Sequence, residues 1–196
     1  MKNHNILTGF DIQGLKSDIF GYFLRNAESF LLRNCAITKQ FWETLKTVFP
    51  KVNRFDIFND NDHLPISFTD LLTAFPNVYN LTFLCHISKD WLDEILQFGN
   101  HPLKCLTISF NSLELCDEFD CDRFAKFIKT RQPGFAFFMS YRGYPGKFGE
   151  LHLARLTQKL DQILKRGCPL HCETDIIVII HGITTQRWYL PLSKDV

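Results

Sequence analysis

Between Ala27 and Tyr141 the chain alternates two hydrophobic patterns. In the first, apolar residues recur at the helical period. Phe41, Trp42, Leu45, Val48 and Phe49 fall at i, i+1, i+4, i+7 and i+8, three residues after Thr38. Phe68, Leu71, Leu72 and Phe75 follow Ser67; Trp91, Leu92, Ile95 and Leu96 follow Ser88; Phe124, Phe127 and Ile128 follow Asp120 and Asp122. Each group predicts an amphipathic helix opened by a side-chain oxygen that accepts a free N–H of the first turn. In the second pattern, apolar residues stand one apart: Phe30-Leu31-Leu32, Phe55-Asp56-Ile57, Leu81-Thr82-Phe83, Leu106-Thr107-Ile108 and Phe135-Ala136-Phe137. These predict short strands. Their first positions lie 25, 26, 25 and 29 residues apart, and Pro50, Pro76 and Pro102 recur at 26 residues before Pro133. Proline lacks the N–H that would continue a helix, so each helix stops and the chain returns as a strand.

A single strand–helix unit of this length does not stand alone. Its five or six large apolar groups are worth roughly 1.5–3 kcal/mol each when buried, against about 1–2 kcal/mol of backbone entropy per ordered residue. Neighbouring units must therefore stack, with strands side by side and helices behind them. The expected fold is a short α/β solenoid, with parallel strands on a concave face and helices on a convex face. Residues 1–196 are expected to form one domain. Residues 27–141 would carry the repeats, and residues 142–196, with a long helical pattern at Leu153, Leu156, Leu160, Ile163 and Leu164 and an apolar run at Asp175–Ile180, would form an atypical terminal unit. Trp188, Tyr189 and Leu190 are expected to cover its edge. The strand period of two sends the first and third residues of each segment into the core. Leu31, Arg33, Arg54, Asp56, Phe58, Asn80, Thr82, Leu84, Thr107, Ser109 and Phe138 would then face the open surface. Large apolar groups bordered by charge on an exposed sheet are the chemistry of a protein-binding face.

Leu106-Thr107-Ile108-Ser109-Phe110-Asn111 and Phe30-Leu31-Leu32-Arg33-Asn34-Cys35 resemble the L-x-L-x-x-N/C segment of leucine-rich repeats, with Asp60, His86 and Ser140 at the equivalent final position elsewhere. The spacing is similar to the cysteine-containing subclass found in F-box substrate receptors, and the Phe-rich wording resembles nematode F-box-associated proteins. The resemblance covers Ala27 to Met139. It implies a non-enzymatic protein-interaction module related to substrate recognition by ubiquitin ligases, with a protein partner. No F-box is recognisable in residues 1–27.

Composition adds mass rather than chemistry. The chain has 196 residues, 20 of them Phe, and a formal charge of +1, which removes a global argument for nucleic acid. No signal peptide or apolar span is evident, so a soluble cytoplasmic or nuclear protein with reduced thiols is expected, without membrane attachment. Residues 1–121 carry 10 basic and 15 acidic side chains, and residues 122–196 carry 12 and 6. Arg123, Lys126 and Lys129 recur on one helix face, with Arg131, Arg142 and Lys147 nearby in sequence; a solvated face is the expected role. Glu114, Asp117, Glu118, Asp120 and Asp122 are expected to favour the positive end of the following helix.

Other candidate chemistry is weaker. Gly143-x-x-Gly146-Lys147-x-Gly149 lies where backbone N–H groups could cradle phosphate, but its spacing is not that of a P-loop. Cys116, Cys121, Cys168, His171 and Cys172 are loosely spaced for zinc. No G-x-S-x-G elbow is present. The alternative to a binding module is a small α/β enzyme using the Gly143–Gly149 loop or the Cys168–Cys172 region. No enzymatic activity, cofactor or metal is the expectation.

Overall fold

The first helices and strands follow from capping and aromatic burial. In the computed structural model, residues 5–17, 26–59, 65–85, 87–88, 90–110, 120–141, 146–167, 176–181 and 185–190 are described. The chain divides into two compact units, Met1–Pro102 and Leu103–Val196.

In the first unit, β1 (Asn5–Thr8), β2 (Ser29–Arg33), β3 (Arg54–Phe58) and β4 (Asn80–Leu84) lie side by side in that order, all parallel. The helices between them are α1 (Ile12–Leu15), α2 (Lys39–Val48), α3 (Phe68–Ala74) and α4 (Trp91–Leu96). Thr38 opens α2 by accepting from the Phe41 N–H at 3.2 Å, and Ser67 opens α3 by accepting from Asp70 N–H at 3.2 Å. Ser88 behaves differently from the expectation. Asp90 is the first residue before α4 and gives it no side-chain cap, while the Ser88 hydroxyl accepts from Asp90 N–H. Adjacent strand–helix repeats within the first unit are tied at this end by Glu94 of α4, whose carboxylate accepts from both the Ser67 hydroxyl and the Thr69 N–H at 2.9 Å.

Pro50 and Pro76 do similar work. Each follows a residue with ψ near 70° (Phe49 and Phe75), and the amide two residues beyond it bonds back to that residue: Val52 to Phe49 and Val78 to Phe75. Proline's fixed φ suits the second position of such a turn. Pro133 repeats the arrangement, with Phe135 N–H bonding to Gln132. Before Pro102 a turn instead closes three residues earlier, from His101 N–H to Phe98 O, ahead of the proline.

The register aligns Asn5, Phe30, Phe55 and Leu81 in one row and Leu7, Leu32, Ile57 and Phe83 in another. On this face the helices supply rings. Phe49 meets Phe30 at 4.8 Å, Trp42 and Phe75 meet Phe55 at 5.4 and 4.8 Å, and Phe68 meets Phe83 at 4.7 Å. Ala27, Val52 and Val78, three residues before the first core position of their strands, are also buried. The parallel ladder starts before residue 27, because β1 pairs with β2 in the same register.

The second unit is built on β5 (Cys105–Phe110), β6 (Ala136–Tyr141) and β8 (Ile176–His181), again parallel. α5 (Cys121–Lys129) and α6 (Gly146–Ile163) are its helices. Asp120 opens α5 by accepting from the Asp122 and Arg123 N–H groups at 2.9 and 3.0 Å. Those bonds, with Arg123 and Lys159 charge adding less, hold its carboxyl below the ordinary value. Phe124 packs on Phe137 at 4.9 Å and Phe127 on Phe135 at 5.6 Å.

The last strands change direction. β9 (Thr185–Leu190) runs antiparallel to β8, and the two-residue β7 (Lys165–Arg166) runs antiparallel to β9. Trp188 is fully buried, and its indole N–H donates to Asp161 at 2.7 Å. Arg166 pairs with the same carboxylate at 3.0 Å and lies 5.8 Å over the indole, so Asp161 ties α6 to both strands. The expected edge cover by Trp188 thus takes the form of a core contact.

Candidate binding face

The sheet face away from the helices carries the candidate residues of the first unit in three rows. The first aligns Ser29, Arg54 and Asn80; the second Ile6, Leu31, Asp56 and Thr82; the third Thr8, Arg33, Phe58 and Leu84. Leu31, Arg54, Phe58, Asn80, Thr82 and Leu84 are half-buried, and Arg33 is exposed. Ile6, which was not among the expected residues, is 64% exposed beside Leu31. Its signal in the sequence is the alternation Asn5-Ile6-Leu7-Thr8, disguised because a polar Asn occupies the first core-row position.

Asp56 corrects the expectation of an open-surface residue, since it is only 7% exposed. The Arg54 guanidinium donates to it at 3.2 Å through Nε. A covered carboxylate needs such a partner, because desolvation disfavours an isolated charge. The pair fixes the middle of the face rather than offering both charges to a ligand.

In the second unit, Thr107 and Phe138 share a register position and are half-buried, while Ser109 pairs in register with Ser140. Ser109 is also a correction: it is 1% exposed, and its hydroxyl has no hydrogen-bond partner among the described residues. The fifth predicted strand segment, Phe135-Ala136-Phe137, is shifted from its expected position. Phe137 aligns with Leu106 and Met139 with Ile108, so Ser140 is not equivalent to Asn111.

The loop after the strands carries a polar structural element that the repeat spacing misplaces. Asn34 adopts φ 50° and donates its N–H to Phe58 O at 2.8 Å. This inserts a left-handed residue, tolerated by Asn, before Cys35. From the next strand–helix repeat, Asn59 meets Cys35. Asn59 Oδ1 accepts from Cys35 N–H at 3.1 Å, and Asn59 Nδ2 donates to Cys35 O at 3.2 Å. The Cys35 thiol in turn donates to Leu7 O at 3.5 Å. Asp60, His86 and Asn111 lie outside the described residues.

Burial governs the thiols. It pushes Cys35 up from 9.0, against weaker opposing bonds from Phe10, Arg33 and Gly9. Burial pushes Cys85 up to about 12, with backbone bonding at Leu84 and Asn59 opposing it. Cys85 should therefore resist iodoacetamide in the native protein at pH 8 and react once urea unfolds it, as read by mass spectrometry of the labelled peptide. An unfolded thiol ionises near 9.0 and the folded one near 12, so the unfolded state loses its proton first. This thiol's contribution is complete below pH 9 and declines through that window as pH rises.

Arg123, Lys126 and Lys129 are exposed along α5, whereas Arg131 is 5% exposed and stacks 4.8 Å over Phe127. Burial lowers its pKa below the ordinary guanidinium value. Arg131 is therefore a packed cation rather than part of the solvent-facing basic row. Arg142 lies outside the described residues, as do the side chain of Lys147, Gly143, the Cys168–Cys172 region, Cys116 and the side chain of Cys121. Among the described residues, no group of three His, Cys, Asp or Glu side chains is placed to hold a metal ion. No helix among them is long and apolar enough to cross a membrane. The helix side of the first unit has a groove of about 390 Å³ between α2 and α3. It is lined by Lys39, Glu43, Lys46, Thr69, Asp70, Thr73 and Ala74, without an aromatic anchor.

Comparison with protein-family models, curated proteins and solved structures finds no match.

Proposed function

We propose that the chain is a non-enzymatic protein-interaction module, a leucine-rich-repeat-like solenoid whose sheet face receives a partner, with a role in substrate recognition related to F-box receptors. The observation that carries the binding reading is the row of exposed Arg33 and half-buried Phe58 and Leu84, flanked by Leu31 and Ile6. Apolar groups beside charge, on the sheet face away from the described helices, match the anchor-and-rim arrangement of binding surfaces. The repeating core positions Ala27/Phe30/Leu32, Val52/Phe55/Ile57 and Val78/Leu81/Phe83 support the leucine-rich-repeat reading, because they follow its L-x-x-L-x-L spacing with Phe, Ile, Val and Ala substituted.

Site-specific photocrosslinking tests the face. Benzoylphenylalanine placed at position 58 or 84 is expected to capture the same protein, while the probe at Glu43, on the helix side, captures none of it. The capture should disappear with Leu31→Ala. Equal capture from position 43, or none from 58 and 84, contradicts this function.

A further inference from the structure

The charge on this face is sorted in a way that specifies its ligand. Charged positions on β1 to β4 are limited to Arg33, Arg54 and Asp56. Arg54 is committed to Asp56, with Nη2 also 3.2 Å from its carboxylate. Arg33 is exposed, and among the described residues it has no ion pair. Its register partner is Phe58, whose own partner is Leu84. Strands lie about 4.8 Å apart, so the cation and two apolar groups form a row of about 10 Å.

This local positive charge runs against its surroundings. Residues 1–102 hold 9 basic and 11 acidic side chains, yet on this face the Arg54–Asp56 pair neutralises itself and exposed Arg33 is left as the net charge. A basic ligand would meet Arg33 without a compensating carboxylate. A wholly apolar ligand would cover the guanidinium and leave its donors unmet, at a desolvation cost. A ligand with a carboxylate next to an apolar side chain satisfies both neighbours, and Arg can bind that carboxylate through two parallel N–H groups.

We infer that the first unit's open face binds a peptide segment of a partner protein that places Asp or Glu beside Leu or Phe, the carboxylate on Arg33 and the apolar side chain across Phe58 and Leu84. This assignment rests on the protein-binding function proposed above and adds the chemical class of the partner.

Fluorescence anisotropy of the full chain with three labelled peptides tests it. One intersperses Glu and Asp with Leu and Phe, the second carries Gln and Asn in place of the acids, and the third carries Lys. The acidic peptide should bind about tenfold or more tighter than the amide peptide, the scale of one well-formed charge pair. Arg33→Gln should erase that preference, and Arg33→Glu should turn it toward the Lys peptide. Lys129→Glu, on an exposed position of α5, should leave the preference intact, which separates local recognition from overall charge. Circular dichroism verifies that each variant is folded. The inference is overturned if no peptide binds, if acidic and amide peptides bind alike, or if Lys129→Glu has the same effect as Arg33→Glu. Position-dependent crosslinking from residues 58 and 84 with no acidic preference would retain the binding function and reject this ligand class.

Discussion

Phe55→Ala is expected to lower the unfolding free energy by about 3–5 kcal/mol, the cost of removing a buried aromatic ring whose site cannot collapse. Phe55 has no exposed surface and is enclosed by Trp42 from the helix before β3 and Phe75 from the helix after it. Removing it empties the junction of two helices and a strand at once, and Trp42 itself also meets Phe75 at 6.2 Å. Urea denaturation followed by tryptophan fluorescence checks the value. Phe55→Leu should cost less, because it retains part of the volume. Equal losses for Leu and Ala would show that ring shape, rather than occupied space, controls this junction. A loss below about 1 kcal/mol for Phe55→Ala would show that the helices close over the gap, contrary to the close packing assigned to them.

Asn59→Ala should have the next largest effect, about 2–4 kcal/mol, because it leaves both the buried N–H and the C=O of Cys35 without the partner found here. The conservative change Asn59→Asp separates the two halves of the interaction. It keeps an acceptor for Cys35 N–H but replaces the donor to Cys35 O by a carboxylate oxygen, while placing charge at a 6% exposed position. The aspartate variant should remain destabilised at pH 7 and recover part of its stability at low pH, where a protonated carboxyl can again donate. Urea midpoints at pH 4 and pH 7, referenced to the unmodified protein, provide the measurement. No change for either variant would show that the Asn59 side chain is dispensable to the junction.

These two residues also show what can be read from a linear chain. Phe55 was legible because a strand's side-chain period of two and the helical period on either side independently place it inside. The caps at Thr38, Ser67 and Asp120 were equally local. Even the segment around Phe137, shifted by two residues in register, kept Phe138 on its expected parity, because a shift of two does not exchange the faces of a strand. Asn59 was less accessible. It bonds Cys35 at a separation of 24 residues, one short of the repeat count, beside the left-handed backbone of Asn34. Asn5 hid β1 in the same manner, since it supplies polarity where the repeat usually supplies a large apolar group.

The candidate face was readable as a set of alternating positions, but not as a surface. Parity placed Asp56 and Ser109 beside Thr82 and Thr107, yet accessibility depends on what neighbouring strands and their side chains cover. Arg54's capture of Asp56 is such a cross-residue event, and it changes two nominal charges into one paired centre. Ile6 became part of the face only through its alignment with Leu31. Recognition chemistry therefore depends on which neighbours the register brings together.

The reversal at β9 imposes a direction on any engineered enlargement. A duplicated strand–helix module inserted between existing parallel strands would find templates of matching polarity on both sides. The same module appended beside β9 would meet a strand pointing the other way, already engaged by Lys165 and Arg166. Internal duplication is thus the compatible route for lengthening the parallel sheet, whereas simple tail-to-head concatenation would require rebuilding the Trp188 plug first.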